Sequence, residues 1–179
     1  PPPLPKRSDA WLVVSALEPY KRIDLAIRAA NQAGHPLIIA GDGSQVARLR
    51  ALAGPTVTLL GRVSDAELLR LYRTCRCLLF PQIEDFGIVA VEAQSCGLPV
   101  VAFAAGGALE TVVQGTTGAF FREQTPEALR RAVTQCPAPD APALRAHAES
   151  FSEPRFDHEF RALIAAALGA SHAHLPRSH

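Results

Sequence analysis

Two glutamates with seven residues between them, Glu84 and Glu92, are the side chains of this chain best suited to hold a ligand. Between them, Gly87 would begin a helix whose first backbone N–H groups have no partner inside the helix. Such a helix start binds anions, because the unpaired N–H groups and the positive end of the dipole point at the ligand. Carboxylates only accept hydrogen bonds and therefore orient hydroxyl groups well. The segment predicts a site for a ligand that carries both an anion and hydroxyl groups.

Two basic residues, Lys21 and Arg22, stand where the next helix along from the first strand would begin. Cations are unfavourable at a helix start, because they oppose the helix dipole. This placement favours a role in binding an anionic ligand over the alternative, a simply solvated helix start, which stays open.

Short apolar segments alternate regularly with segments of helical periodicity, and this alternation indicates the fold class. It predicts an α/β fold with a Rossmann-like, doubly wound parallel sheet, helices on both faces, and strand order 3-2-1-4-5-6. In that order the ligand crevice lies beyond the carboxyl ends of strands one and four. The loops that carry Lys21 and Glu84 would then meet there. The predicted strands are 11–15, 36–40, 57–60, 77–80, 100–103 and 118–121. Among the predicted helices, one ends before Gly34, one begins at a cap on Ser64 and one at a cap on Thr125, and a short helical piece is expected at 110–113.

The segment 84–93 resembles the E-x7-E motif of retaining glycosyltransferases of the GT-B fold, closest to glycosyltransferase family four. The resemblance runs from about Trp11 to Phe160 and implies a carboxyl-terminal, donor-binding domain whose amino-terminal acceptor domain is absent from this chain. Isolated, such a domain is expected to be inactive or nearly so. Further matching segments are 19–24, 41–43, 60–64, 97–101 and 106–110.

The resemblance also implies roles for individual residues. Glu84 would accept hydrogen bonds from donor sugar hydroxyls and Lys21 would contact the diphosphate, so these two are the expected catalytic residues. Glu92 would hold the ribose hydroxyls, although ordinary surface carboxylates remain the alternative for both glutamates. The other expected donor-binding residues are Arg22, Arg62, Val63, Asp85, Phe86, Gly87, Ile88, Val89, Gly106 and Gly107. Within this set, Arg62 and Val63 would contact the base, chiefly through the backbone, and Asp85 could serve only to cap the helix.

One departure from the family pattern concerns the diphosphate. The family commonly has Gly-Arg where this chain has Ser15 and Ala16, which predicts weaker diphosphate binding or a share taken by Arg22. The sequence also has no Asp-x-Asp, so we expect no metal and no cofactor, with fixed cations and helix N–H groups stabilising the leaving group. The resemblance implies retention of configuration. Front-face departure and attack is favoured over a double displacement, because Glu84 is better explained as a sugar ligand.

Domain organisation and partners follow from the same interpretation. Residues 1–10 are expected to be a linker, 11–168 the nucleotide-sugar donor-binding domain, and 169–179 a flexible tail. The donor would be a nucleotide-diphosphate sugar, with GDP-mannose slightly favoured by similarity to mannosyl-transferring members. A glycan or lipid-linked acceptor, and any peripheral membrane association, would belong to the missing domain.

Composition narrows the alternatives. A net charge of +1 in 179 residues and the lack of a basic run argue against nucleic-acid binding. No apolar run is long enough to span a membrane, and the four cysteines have neither zinc nor disulfide spacing, so a cytoplasmic location, or one at the inner membrane face, is expected. A dinucleotide-dependent oxidoreductase is disfavoured, because no Gly-x-Gly-x-x-Gly follows the first strand. A non-catalytic binding or scaffold module that kept the fold stays open.

Overall fold

The structure is a computed structural model that describes residues 7–139 and 141–172. The chain divides into two compact units, and the division falls between residues 148 and 149 of the sequence. Most of the predicted linker, residues 1–6, and the end of the predicted tail, residues 173–179, lie outside the described residues.

A parallel sheet forms the centre of the first unit, with six strands in the order β3-β2-β1-β4-β5-β6. This confirms the predicted strand order. All four residues of the central β4 are buried, whereas burial alternates along the edge strand β3, which has a neighbour on one side only. The strands are β1 Trp11–Val14, β2 Leu37–Ala40, β3 Val57–Gly61, β4 Cys77–Phe80, β5 Val100–Phe103 and β6 Gly118–Phe121.

Helices connect and follow the strands, and several begin at the caps that the sequence predicts. Ser64 accepts a hydrogen bond from Glu67 N at 3.3 Å, and Thr125 caps a helix that has Pro126 at its first position. The helices are α1 Ile23–Ala33, α2 Val46–Leu52, α3 Asp65–Thr74, α4 Ile88–Ser95, α5 Ala108–Thr111, α6 Pro126–Gln135, α7 Ala141–Glu149 and α8 Glu153–His172.

The core has two layers, one on each face of the sheet. Trp11 and Val13 of β1 face the layer that contains α1 and α6, whereas Leu12 faces the layer that contains α3 and α4. The alternation follows from the two-residue period of a strand. Helices therefore cover both faces, as the doubly wound fold requires.

Two helix boundaries differ from those that the sequence predicts. The short helix expected at 110–113 is α5, Ala108–Thr111, because Gly107 already serves as its N-cap. In the second unit α8 continues to His172, beyond Gly169, where the tail was expected to begin. The alanines around Gly169 have the highest helix propensity of any residue and outweigh one glycine.

Arg7, inside the segment interpreted as a linker, is bonded to the ends of two helices. Its guanidinium donates to Tyr72 O at 3.0 Å and Cys75 O at 2.9 Å, at the end of α3. It also donates to Cys96 O at 3.3 Å and Gly97 O at 2.6 Å, at the end of α4. A cation that pairs with the last carbonyls of a helix also interacts favourably with the negative end of the helix dipole.

We therefore expect Arg7→Ala to lower the free energy of unfolding by about 2–3 kcal/mol, because four carbonyls lose a charged donor at once. Urea denaturation measures this change. Arg76→Ala is the matched control, since the side chain of Arg76 is 43% exposed and its Nη1 lies 3.7 Å from Asp9 Oδ1. Equal midpoints for Arg7→Ala and the unmodified chain would show that the four bonds contribute nothing.

Candidate active site

Lys21 and Glu84 form an ion pair at the carboxyl ends of β1 and β4. Lys21 ends a short 3₁₀ turn, Pro19–Lys21, that precedes α1, and Glu84 lies in the loop after β4. The two side chains are only 13% and 23% exposed. Burial lowers the pKa of Lys21 below the usual range of lysine. The crevice predicted from strand order thus brings together the two residues expected to be catalytic.

The loop around Glu84 is held by the loop after β5. Gly107 N donates to Glu84 O at 2.7 Å. A Cβ at Gly106 would lie 2.4 Å from Glu84 O, and one at Gly107 would lie 2.5 Å from Asp85 O, so only glycine permits this approach. Gly106 and Gly107 therefore support the Glu84 loop from behind.

α4 begins directly after this loop, at Ile88. Its N-cap is Gly87, with φ +81°, and no side chain in the described part of the chain caps it. The prediction that Asp85 could cap this helix is wrong, because two residues separate Asp85 from Ile88 and Gly87 itself takes the cap position. A Cβ at Gly87 would also lie 2.6 Å from Phe80 Cζ. The helix start is therefore uncovered, and Phe86 and Ile88 beside it are 41% and 63% exposed.

Glu92 lies one turn into α4 and is held by a tyrosine of α3. Tyr72 Oη donates to Glu92 Oε2 at 3.0 Å, although the ring of Tyr72 is buried. Burial first, and then the charge of Glu92, raise the pKa of Tyr72, so its hydroxyl stays protonated and donates. Val89, three residues earlier, shares this face of α4 and lines a cleft.

That cleft, of about 400 Å³, lies beyond the carboxyl ends of β1, β2 and β3. Arg62 and Val63 line it, as does Val89, which places three expected donor-binding residues around one space. Ser15 and Ala16, which replace the family's Gly-Arg, line it too. The other lining residues are Val14, Ala40, Gly41, Asp42 and Leu68.

A carboxylate that is not among the expected site residues holds the loops beside this cleft together. Glu18 accepts from Ser44 N at 3.0 Å and from Ser44 Oγ at 2.6 Å. These bonds lower the pKa of Glu18, so the contact persists at neutral pH and is lost as the pH falls through that pKa. A Cβ at Gly43 would lie 2.7 Å from Leu17 O, which makes the approach of the two loops depend on glycine.

Arg22, the second basic residue of the predicted anion site, is engaged with protein groups. Its Nη1 donates to Gln124 Oε1, and its Nε lies 3.5 Å from Asp24 Oδ1. Among the described residues Arg22 is the only non-glycine with positive φ, at +54°. Gln124 also donates from Nε2 to Pro81 O at 3.3 Å. The structure therefore places Arg22 next to Lys21 but orients its guanidinium toward the loop after β6.

Comparison with known proteins identifies the family. A model of the family described as "Glycosyl transferases group 1" matches residues 2–139. The chain belongs to this family. The interpretation as a glycosyltransferase domain is thereby confirmed at the level of the family.

Individual relatives of this glycosyltransferase domain agree with the assignment. It is 33% identical to a D-inositol 3-phosphate glycosyltransferase of Mycobacterium avium over 90% of this chain and 42% of that protein. Among solved structures, Anabaena Alr3699/HepE in complex with UDP-glucose is 30% identical, with a TM-score of 0.71 over 90% of this chain and 48% of that chain. The galactosyltransferase WaaB, 20% identical with a TM-score of 0.76, shares the fold. The chain thus spans less than half the length of the first two relatives.

Two further findings concern metals and membranes. Within residues 7–139 and 141–172, no group of three or more His, Cys, Asp or Glu side chains could hold a metal ion. In the part of the glycosyltransferase domain that the structure describes, every helix is too short or too polar to cross a membrane.

Three residues of the site region were missed by sequence reasoning: Tyr72, Glu18 and Gln124. Tyr72 reads as one more apolar position of α3, and Glu18 and Gln124 read as loop residues. Their partners lie 20, 26 and 102 positions away, so no local pattern carries the signal. Only the segment 19–24, which matches the family pattern, could have drawn attention to the loop that contains the partner of Gln124.

Proposed function

We propose that this chain is the donor-binding domain of a retaining glycosyltransferase that transfers a hexose from a nucleotide-diphosphate sugar. The observation that carries the proposal is the contact between Lys21 and Glu84 at the carboxyl ends of β1 and β4. It lies beside the start of α4, which no described side chain caps. A cation, a carboxylate and free backbone N–H groups converge there. These are the groups needed by a ligand with a diphosphate and sugar hydroxyls.

The donor would lie across the carboxyl edge of the sheet. The cleft lined by Arg62 and Val63 would take the base, and Glu92, held by Tyr72, would accept hydrogen bonds from the ribose. The diphosphate would then reach the start of α4 and Lys21. Glu84 would accept hydrogen bonds from the sugar, which requires its carboxylate to exchange Lys21 for sugar hydroxyls.

The chemical step follows from what these residues can do. As the bond between the anomeric carbon and the phosphate oxygen breaks, negative charge grows on the diphosphate, where Lys21 and the N–H groups of α4 stabilise it. The leaving phosphate oxygen takes the proton of the acceptor hydroxyl, which attacks from the same face, so configuration is retained. Fixed cations and dipoles would do this without a metal ion.

Glycosyltransferases of this kind also need an acceptor side, which we place in an amino-terminal half that this chain does not contain. A glycan or lipid-linked acceptor would bind there. Tyr20, Ile83 and Ile88, each more than half exposed at the carboxyl edge of the sheet, would contribute to the surface that faces this half.

Two observations favour different donors, which differ in both the base and the sugar. The family resemblance of the sequence slightly favours GDP-mannose, whereas the solved relative Alr3699/HepE holds UDP-glucose. We keep GDP-mannose as the proposal for the complete enzyme, to be tested against UDP-glucose in a panel of nucleotide sugars.

The proposal is tested by titrating this chain with UDP, GDP and ADP in a calorimeter. We expect one nucleotide to bind at least tenfold more tightly than the others, and Glu92→Gln to weaken it about threefold to tenfold, because the ribose loses a charged acceptor. Glu149→Gln, at the end of α7, is the control. Equal affinity for all three nucleotides, unaffected by Glu92→Gln, would favour the scaffold module instead.

The scaffold alternative is supported by one observation, the loss of the family's arginine at Ala16. Ala16 is exposed and lines the cleft, so the position has room for a long side chain. If the site still binds a diphosphate, restoring the arginine should strengthen that binding.

We therefore expect Ala16→Arg to increase nucleoside diphosphate affinity about fivefold to thirtyfold, since a charge-assisted hydrogen bond to phosphate contributes about 1–2 kcal/mol. Calorimetry at two salt concentrations measures the gain, which should shrink as ionic strength rises. Ala16→Gln, which adds a polar side chain that can donate but carries no charge, is the control. A gain of equal size in Ala16→Gln would show that the added charge is not what strengthens binding.

A further inference from the structure

We propose that Gln124 is a positioning residue for the donor site: its carboxamide joins the loop that carries Lys21 to the loop that carries Glu84. This inference rests on the proposed function for its catalytic consequence, but the bridge itself is defined by contacts alone. Neither the family resemblance nor any expected site residue pointed to Gln124.

The bridge consists of two hydrogen bonds from one side chain. Arg22 Nη1 donates to Gln124 Oε1, and Gln124 Nε2 donates to Pro81 O at 3.3 Å. Arg22 is the next residue after Lys21, and Pro81 stands three residues before Glu84. Gln124 therefore links the side chain of Arg22 to the backbone of the loop that carries Glu84.

The backbone of Gln124 is itself well anchored. It directly precedes Thr125, whose Oγ1 caps α6 by accepting from Ala128 N at 3.2 Å. Thr125 N also donates to Glu123 O at 2.7 Å, so the chain is hydrogen-bonded on each side of Gln124. The edge strand β6 thereby supplies a fixed point for loops that follow β1 and β4.

Glutamine is the side chain that this position requires. It must accept from a guanidinium, which only donates, and donate to a peptide carbonyl, which only accepts. Glutamate could accept from Arg22 but could not donate to Pro81 O. Leucine has a similar volume and could do neither.

The backbone conformation of Arg22 indicates that its surrounding contacts hold it in place. A non-glycine at φ +54° and ψ +35° is strained, and such residues persist where surrounding contacts determine them. In this conformation Arg22 N donates to Pro19 O at 3.3 Å, and Lys21 N donates to Glu18 O at 3.1 Å. The 3₁₀ turn thus presents Lys21 to the crevice while Arg22 holds Gln124.

The consequence for the reaction is geometric. Lys21 must contact the diphosphate while Glu84 contacts the sugar of the same donor, so the separation of their two loops must match the donor. The bridge keeps that separation when the donor parts the ion pair. The affinity for a nucleotide sugar should therefore depend on Gln124 more strongly than the affinity for a nucleotide that lacks the sugar and the second phosphate.

Hydrogen exchange of this chain tests the bridge without any ligand. The amides of Lys21 and Arg22 report on the first loop, and the amide of Gly107, bonded to Glu84 O, reports on the second. In Gln124→Leu we expect these three amides to exchange about fivefold to tenfold faster. In Gln124→Glu only Gly107 should exchange faster, because the bond from Arg22 survives. Gln135→Leu, at the exposed end of α6, is the matched control.

Binding measurements on the same variants test the role in donor recognition. In Gln124→Leu we expect affinity for the preferred nucleotide sugar to fall about fivefold to tenfold, with nucleoside monophosphate affinity changed less than twofold. Arg22→Met combined with Gln124→Leu should be no worse than either change alone, because both break the same bridge.

The outcomes separate the two proposals. If the unmodified chain binds no nucleotide, the proposed function fails. The hydrogen-exchange experiment alone then tests whether Gln124 joins the two loops. If the unmodified chain binds nucleotide sugars and Gln124→Leu leaves both exchange and affinity unchanged, the positioning role is wrong. A Gln124→Leu chain that loses monophosphate and nucleotide-sugar binding equally would show a general structural role instead, which also overturns the proposal.

Discussion

Replacing Glu84 by glutamine in the proposed two-domain enzyme is expected to lower the transfer rate about 10²- to 10³-fold while nucleoside diphosphate binding tightens about threefold to tenfold. The rate falls because the donor sugar loses a charged group whose contacts strengthen as the glycosidic bond breaks. The affinity rises because Glu84 no longer competes with the diphosphate for Lys21, a competition of about 0.7–1.4 kcal/mol. Steady-state transfer assays and calorimetry of the isolated chain measure the two effects separately.

In Glu84→Gln the diphosphate affinity should rise while the transfer rate falls, and this combination distinguishes the proposed role from general damage to the fold. A change that merely damaged the fold would weaken binding and transfer together. Glu127→Gln, an exposed carboxylate in the first turn of α6, is the matched control and should leave both quantities unchanged. Undiminished turnover in Glu84→Gln would refute its role as a sugar ligand, and weakened diphosphate binding would refute the competition for Lys21.

Replacing Lys21 by methionine should weaken nucleoside diphosphate binding about tenfold to thirtyfold and lower transfer about 10²- to 10³-fold. The diphosphate loses a charge-assisted hydrogen bond of about 1.5–2 kcal/mol, and the same group stabilises the charge that develops during departure. Glu84 also loses its partner and is left as a half-buried negative charge beside the diphosphate. Calorimetry with nucleoside mono- and diphosphates should show the loss for the diphosphate alone.

Two further variants, Lys21→Arg and Arg28→Met, help to interpret the effect of Lys21→Met. The arginine keeps the charge but differs in shape, so it should recover part of the affinity. Arg28 is exposed on α1 and serves as the control for removing a cation from this part of the chain. An unchanged dissociation constant in Lys21→Met would place the diphosphate elsewhere and remove the main support for the proposed function.

Local sequence signals predicted most of the fold. Alternating apolar strands and amphipathic helices indicated the doubly wound sheet, and Ser64, Thr125 and Gly34 marked helix boundaries that the structure has. These features depend on neighbours in the chain, through hydrogen bonds and backbone preferences that act within a few residues. The strand order followed because right-handed crossovers leave few topologies for such a pattern.

The candidate site was predictable in outline for the same reason. Glu84 and Lys21 stand directly after strands whose carboxyl ends are neighbours, so topology alone brings their loops together. What sequence reasoning misplaced is Asp85: its side chain is exposed and Gly87 takes the cap, because a left-handed glycine ends the loop first. The role of Gly106 and Gly107 as support for the Glu84 loop also became clear only from the close approach of two loops.

The sequence by itself determined the sheet, its order, the family and the residues that meet at the crevice. The tertiary structure alone decided which side chains hold those residues in place: Tyr72 on Glu92, Gln124 between Arg22 and Pro81, and Arg7 on two helix ends. The physical reason is that a hydrogen bond between distant residues depends on where two backbones end up, to within a few tenths of an ångström. Periodicity and capping preferences contain no information at that distance.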